Sequence, residues 1–165
     1  MKDYILIRGP IGVGKTAVGS LLSDRLKNDG YNNFLLSLDK FRNENVGKEV
    51  TYLNKKRAIE LVVPKINDLI SYNCIPIVED VLYEQDMLFY LINNIEGNSL
   101  RIKLMAPFDI CIKRDCSRKF PRGKVRVEVT WQMLQKDDPN EFRIETKDMS
   151  IEDVVNLILS RFISF

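Results

Sequence analysis

An eight-residue stretch near the N-terminus constrains this chain more than any other feature. It runs Gly9-Pro10-Ile11-Gly12-Val13-Gly14-Lys15-Thr16 and fits the pattern G-x-x-x-x-G-K-[ST] of the phosphate-binding loop (P-loop), or Walker A motif. In such a loop, glycines let successive N–H groups converge on phosphate oxygens, the lysine reaches the β- and γ-phosphates, and the hydroxyl ligates Mg²⁺. We therefore predict that the chain binds ATP with Mg²⁺. The predicted nucleotide contacts in this segment are Gly9, Ile11, Gly12, Val13, Gly14, Lys15, Thr16 and Ala17.

The residues on either side of the loop supply the context that this motif requires. The run Tyr4-Ile5-Leu6-Ile7 is apolar and typical of a short buried strand. After the loop, Val18, Leu21, Leu22 and Leu26 recur with helical spacing. A strand before the loop and a helix after it disfavour the alternative of a glycine-rich turn that binds nothing.

Four later apolar segments are predicted strands, and they alternate with predicted helices. The strands are residues 33–38, 75–78, 100–105 and 142–145, and the helices are residues 54–72, 85–95, 108–119, 130–136 and 150–165. This alternation predicts an α/β fold, with a five-stranded parallel sheet covered by helices on both faces. Its length of 165 residues suits one domain spanning residues 1–165.

Two local features of this pattern are less regular. Pro64 lies inside the predicted helix 54–72, so we expect a kink there or a break just before it. Residues 43–50 are polar and contain Gly47, which is typical of an exposed loop.

Composition excludes several classes of protein. A net charge of +2 implies no strong general attraction to nucleic acid or membranes, and no apolar run approaches the ~20 residues of a membrane span. The chain has no histidine, which excludes Ser-His-Asp catalysis, HExxH metal sites and Cys2His2 zinc sites. Any general base is therefore expected to be a carboxylate, with Lys, Tyr and Cys as less favoured alternatives.

The cysteines and the N-terminus indicate the compartment. Cys74, Cys111 and Cys116 are odd in number and lack metal-ligand spacing, as expected of reduced thiols in the cytoplasm. The first predicted strand begins within a few residues of Met1, which leaves no room for a signal peptide. We predict a cytoplasmic protein whose oligomeric state the sequence leaves open.

Asp39 and Arg42 follow the second predicted strand and are expected beside the γ-phosphate of a bound nucleotide. A carboxylate there can take the proton of an attacking hydroxyl, while an arginine one turn later fixes the acceptor. The alternative is that Asp39 is only a helix N-cap and Arg42 a solvated surface charge.

Glu79 and Asp80 follow the third predicted strand directly. Acids at this position commonly hold a Mg²⁺-bound water or touch the acceptor. We predict that one of the two serves the metal, because neighbouring residues of a strand point in opposite directions. The alternative is an ordinary turn.

The segment from Lys113 to Arg126 carries seven basic residues against the single acid Asp115. Such a run is often a solvated face, but here it follows the fourth predicted strand. A mobile lid at about residues 117–126 could close Arg118 and Arg122 over the phosphates, and Arg114 could stack on adenine. A nucleic-acid patch is a third interpretation, disfavoured because only Phe120 interrupts the charges with an aromatic ring.

The order of these features resembles the P-loop kinases of the nucleoside/nucleotide-kinase-like group over essentially the whole chain. Ile112-Lys113-Arg114-Asp115 and the later Glu145-Thr146 are most similar to adenylylsulfate kinases and to their chloramphenicol phosphotransferase, zeta-toxin and polynucleotide 5′-kinase relatives. The resemblance implies a three-layer P-loop NTPase fold. It also implies that Arg114 contacts adenine next to Thr146, that lid arginines contact phosphates, and that Asp39 is the base. The D-G-D-N signature of adenylylsulfate kinases is replaced here by Leu38-Asp39-Lys40-Phe41-Arg42, so their substrate is not implied.

The expected function is an ATP-dependent kinase that moves the γ-phosphoryl group to a hydroxyl of a small-molecule or nucleotide-like acceptor. The candidate catalytic residues are Lys15, Asp39, Arg42, Arg118 and Arg122; the candidate Mg²⁺ ligands are Thr16, Glu79 and Asp80. One alternative is a nucleotide-dependent switch or NTPase, although no aspartate has glycine three residues later and no Asn-Lys-x-Asp guanine motif is present. Another is a polynucleotide 5′-kinase, disfavoured by the weak net charge.

Overall fold

The computed structural model of the chain describes residues 2–163. Five strands form one sheet: β1 (Tyr4–Arg8), β2 (Asn33–Ser37), β3 (Ile75–Asp80), β4 (Ser99–Met105) and β5 (Phe142–Glu145). The helices of the described residues are α1 (Lys15–Asn28), α2 (Leu38–Asn45), α3 (Tyr52–Ser71), α4 (Gln85–Asn94), α5 (Phe108–Cys116), α6 (Lys124–Met133) and α7 (Ile151–Ile163). None of these helices is both long enough and apolar enough to span a membrane.

All strand pairs are parallel, and the order across the sheet is β2-β3-β1-β4-β5. Alternate residues of β1 point to opposite faces, so Ile5 and Ile7 join the core under α1 and α7, whereas Tyr4 and Leu6 join the core under α3 and α4. This three-layer arrangement confirms the predicted α/β fold. β1 lies at the centre of the sheet, and the segments that follow β1, β2 and β3 meet at the carboxyl edge.

Several predicted boundaries are wrong. The second strand ends at Ser37, and the chain turns at once into α2, so part of the expected loop 43–50 is helical. The helix predicted over 108–119 ends at Cys116, and the one predicted over 130–136 begins at Lys124 and ends at Met133.

The expected break before Pro64 is also wrong, because α3 is continuous across it. Proline in a helix interior costs about 3 kcal/mol. The helix nevertheless buries Ile59, Val62, Val63 and Ile66 against the sheet, and this apolar contact outweighs the missing hydrogen bond.

The start of the last helix is capped as a reciprocal box. The backbone N–H of Asp153 donates to Ser150 Oγ over 3.1 Å, and the backbone N–H of Ser150 donates to Asp153 Oδ2 over 3.1 Å. Residues 164 and 165, which the sequence assigned to this helix, lie outside the described residues.

Candidate active site

The loop between β1 and α1 has a backbone that only glycine can supply at Gly12. Its φ is +85°, and a Cβ there would lie 2.2 Å from the carbonyl oxygen of Cys111. Gly14, the N-cap of α1, also has a positive φ of +106°. The two glycines therefore allow the loop to curl tightly against α5 before α1 begins.

Lys15 is the first residue of α1, and its side chain is buried within the loop. Its Nζ donates hydrogen bonds to the carbonyl oxygens of Gly9 over 2.9 Å and Pro10 over 3.0 Å. Burial lowers the pKa of this ammonium group, while the nearby carboxylates of Glu79 and Asp80 oppose that shift. The loop thus holds a cation at the positive end of a helix dipole, where anions bind well.

Thr16, Glu79 and Asp80 bring oxygen atoms together beside this lysine. Thr16 Oγ1 donates to Glu79 Oε1 over 3.2 Å, and the Glu79 side chain is buried at the end of β3. The half-buried Asp80 lines the same cavity, and burial raises the pKa of its carboxyl to about 6. A hydroxyl with two carboxylates fits Mg²⁺, a hard cation that is usually held by one or two carboxylates together with substrate phosphates.

Asp39 lies in the first turn of α2 and joins two arginines from distant parts of the chain. Its Oδ1 is 2.8 Å from Arg42 Nη1, and its Oδ2 accepts a hydrogen bond from Arg122 Nη2 over 2.9 Å. The N-cap of α2 is Ser37, and Arg42 is only 4% exposed. The alternative of an N-capping Asp39 beside a solvated Arg42 is therefore wrong.

The segment between α5 and α6 is organised by Asp115, which is 1% exposed. Its carboxylate accepts hydrogen bonds from the backbone N–H of Arg122 over 3.0 and 3.1 Å and from that of Gly123 over 3.0 Å. Arg118 Nη1 lies 3.8 Å from the same carboxylate. One buried acid thus sets the backbone that carries Arg122 towards Asp39. In the sequence, Asp115 stands out as the single acid of the basic run and as part of Ile112-Lys113-Arg114-Asp115, and neither feature indicates this role.

Replacing Asp115 with alanine is expected to loosen this segment. A hydrogen bond to a charged group contributes about 1.5–3 kcal/mol, so amide hydrogen exchange at Arg122 and Gly123 should speed up by about 10- to 150-fold. Asp109→Ala, which removes an exposed acid from the same helix, is the matched control. Unchanged exchange at both amides in Asp115→Ala, measured by NMR, would contradict this role.

Arg114 lies on the other side of the loop. Its guanidinium donates to the carbonyl oxygen of Val13 and to Thr146 Oγ1, both over 3.2 Å, and to the carbonyl oxygen of Thr146 over 3.3 Å. It is one wall of a cavity of about 780 Å³, whose lining also includes Gly12, Gly14, Ala17, Met149 and Ile151. Arg114 and Thr146, both proposed to contact the nucleotide, are therefore in contact with each other although 32 positions separate them.

A second cavity, of about 680 Å³, opens on the other side of Thr16. Of the predicted residues, its lining includes Ile11, Lys15, Thr16, Asp39, Arg42, Glu79, Asp80, Arg118 and Arg122. Thr16 and Arg118 line both cavities, so the two meet at the side of the loop where Mg²⁺ and the terminal phosphates are expected. The carbonyl oxygen of Gly9 accepts one of the hydrogen bonds of Lys15 Nζ.

Two features of the site were missed by the sequence analysis. Thr130 of α6 accepts a hydrogen bond from the backbone N–H of Ile11 over 3.2 Å, which ties α6 to the P-loop. Lys55 of α3 is ion-paired with Glu84, and both residues line the second cavity. Neither pairing has a local sequence signal, because the partners lie 119 and 29 residues apart.

Comparison with known proteins identifies the fold. No protein-family model and no curated protein sequence matches the chain. Among solved structures, it is similar to an APS kinase of Mycobacterium tuberculosis solved with AMPPNP and APS (TM-score 0.76, 13% identity, 97% of this chain and 96% of that one). It is similar to a gluconokinase of Sinorhizobium meliloti (TM-score 0.73, 12% identity, 98% of this chain and 91% of that one). It is also similar to a tunicamycin resistance protein of Deinococcus radiodurans (TM-score 0.72, 19% identity, 96% of this chain and 94% of that one). The chain therefore has the P-loop NTPase fold, in the form that these kinases share; at such low identity the likeness shows the fold alone.

Proposed function

We propose that this protein is an ATP-dependent kinase that transfers the γ-phosphoryl group to a hydroxyl of a small-molecule acceptor. The observation that carries this proposal is the pair of cavities that meet at Thr16 and Arg118. One is bordered by the P-loop and Arg114, which suits a nucleotide. The other contains Asp39, which suits an acceptor whose hydroxyl needs a base.

In this proposal each group has a separate task. Lys15 and the N–H groups of the loop bind the β- and γ-phosphates, and Arg114 and Thr146 border the adenine. Thr16 with Glu79 or Asp80 would hold Mg²⁺, which neutralises phosphate charge. Arg118 and Arg122 lie on the lid and stabilise the transferring group. Catalysis by such a site comes mainly from positioning and electrostatic stabilisation.

Asp39 supplies the one proton transfer in the scheme. Its carboxylate is ion-paired with Arg42 and Arg122, which orient both oxygens within the acceptor cavity. A hydroxyl that enters can donate its proton to one of these oxygens as its own oxygen attacks phosphorus.

A nucleotide-dependent regulatory NTPase is the competing class, and the fate of the phosphoryl group separates the two. We expect ATP consumption by the wild type to rise when an accepted alcohol is added and the phosphate to appear on that alcohol by mass spectrometry. ATP consumption that yields only inorganic phosphate, whatever alcohol or polynucleotide end is offered, would refute the kinase proposal. Lys15→Ala measures the background from contaminating enzymes.

A further inference from the structure

The part of the second cavity beyond Asp39, here named the acceptor pocket, is mainly apolar. Six apolar residues line it: Val50 before α3, Ala58 and Ile59 of α3, Met87 of α4, and Val125 and Val129 of α6. Its floor is formed by the buried Ala58, Ile59 and Met87. A concave, apolar lining with a few polar groups is typical of a site for a small organic ligand.

Three of these side chains are exposed although they are apolar. Val50 is 41% exposed, Val125 73% and Val129 43%. Val125 and Val129 stand one helical turn apart on α6, whereas Val127 between them is buried in the core. Helix α6 therefore presents these two valines to the cavity beside Arg126 and Thr130, and a bound ligand would remove the valines from water.

Three of the cationic groups around this pocket are already paired with acidic groups. Seven cationic and four acidic side chains line the whole cavity. Arg42 and Arg122 are paired with Asp39. Lys55 is paired with Glu84, and its Nζ lies 4.6 Å from the centre of the Tyr83 ring. Arg42, Arg122 and Lys55 would each have to leave an existing ion pair to bind an anionic group of the acceptor.

From this lining we infer that the acceptor is an alcohol with an apolar body, an inference that rests on the proposed kinase function. The apolar body packs between the valines of α6 and the floor of the pocket, and the hydroxyl reaches Asp39. The hydroxyl oxygen forms a bond to the γ-phosphorus, the bond from that phosphorus to the bridging oxygen breaks, and the hydroxyl proton passes to Asp39. The products are a phosphate monoester and ADP.

A panel of alcohols tests this inference with the full chain, ATP and Mg²⁺. Phenylethanol, cyclohexylethanol and phenylbutanol are compared with glucose, uridine and uridine monophosphate, and the phosphate ester is measured by mass spectrometry. We expect kcat/KM to be higher for the apolar alcohols and to increase with their size. Phosphorylation that favours glucose, uridine or uridine monophosphate would overturn the inference and leave the kinase proposal standing. Failure of all six compounds also overturns it, and the proposed function is then judged by its own experiment.

Variants of α6 test whether the valines set this preference. Val125→Thr and Val129→Thr keep the side-chain shape but place a hydroxyl against the apolar body. Met133→Ser, an exposed residue of the same helix that does not line the cavity, is the control. Since one small group in an apolar pocket changes discrimination by about 10- to 200-fold, we expect the double valine variant to lower the kcat/KM ratio of phenylbutanol to glucose at least about tenfold. An unchanged ratio in the double variant, with Met133→Ser also unchanged, would overturn the inference.

Discussion

Replacing Asp39 with asparagine is expected to lower phosphoryl transfer by about 10²–10⁴-fold, which is the usual contribution of a positioned general base. Asparagine keeps the size of the side chain and one oxygen that can accept from Arg42 or Arg122, but it cannot accept a proton from the acceptor. Asp39 makes no hydrogen bond or ion pair with the P-loop, so the affinity for ATP with Mg²⁺ should barely change. The measurements are ATP affinity by calorimetry and product formation with an accepted alcohol.

The substitution also removes one negative charge from a group that contains a buried arginine. Arg42 would keep hydrogen bonds to Asn43 Oδ1 over 2.7 Å and to the carbonyl oxygen of Gly47 over 3.4 Å, which limits the loss of stability. Thermal unfolding of the variant shows whether the fold survives. Glu44→Gln, which removes an exposed acid from the same helix, is the matched control.

The outcomes separate the three roles that a carboxylate here can have. Transfer that is intact in Asp39→Asn would exclude a base. A parallel fall in ATP affinity and turnover would indicate a metal-binding or nucleotide-binding role of an NTPase. Only a fall in transfer with preserved ATP affinity agrees with the kinase proposal.

The features predicted correctly from sequence are those fixed by local rules. The P-loop is recognisable because its glycines meet backbone requirements that no other residue meets, as the position of Gly12 against Cys111 illustrates. The strands are recognisable because a parallel sheet buried on both faces needs continuous apolar runs, such as residues 4–7. Strands and loop together predict the carboxyl edge at which the candidate residues meet.

Helices α2 and α6 were misjudged because few of their residues are buried in the core. In α2 only Leu38 and Arg42 are buried, and in α6 only Val127 and Thr130 are. Both helices border the second cavity, and their other side chains face that cavity or solvent instead of the core. Hydrophobic periodicity detects helices that bury one face in the core, and it therefore does not detect these two helices.

The ion pair between Asp39 and Arg122 could not be predicted from spacing, because 83 residues separate the two. Both residues were proposed for catalysis on separate grounds, one from its place after a strand and one from a basic run. That the backbone of the segment between α5 and α6 depends on a buried acid, Asp115, follows only from the folded arrangement. Tertiary contacts of this kind connect elements whose local sequences carry no information about each other.

Lys15→Ala is expected to weaken the binding of ATP with Mg²⁺ by about 30- to 4,000-fold. Removing one partner of a buried, hydrogen-bonded charge pair costs about 2–5 kcal/mol, and each 1.4 kcal/mol is a factor of ten in affinity. Lys15 Nζ donates to the carbonyl oxygens of Gly9 and Pro10. Water can replace an ammonium group there, so the fold should remain intact by circular dichroism.

A matched lysine tests whether this effect belongs to the loop or to net charge. Lys27 lies in the last turn of the same helix and is exposed, so Lys27→Ala removes the same charge far from the phosphates. We expect calorimetry to give wild-type ATP affinity for Lys27→Ala and a large loss for Lys15→Ala. Equal affinities in the two variants would show that the nucleotide does not bind at the P-loop. In that case Thr16, Arg114 and Thr146 would also lose their proposed roles, since all of them are assigned by their position around this loop.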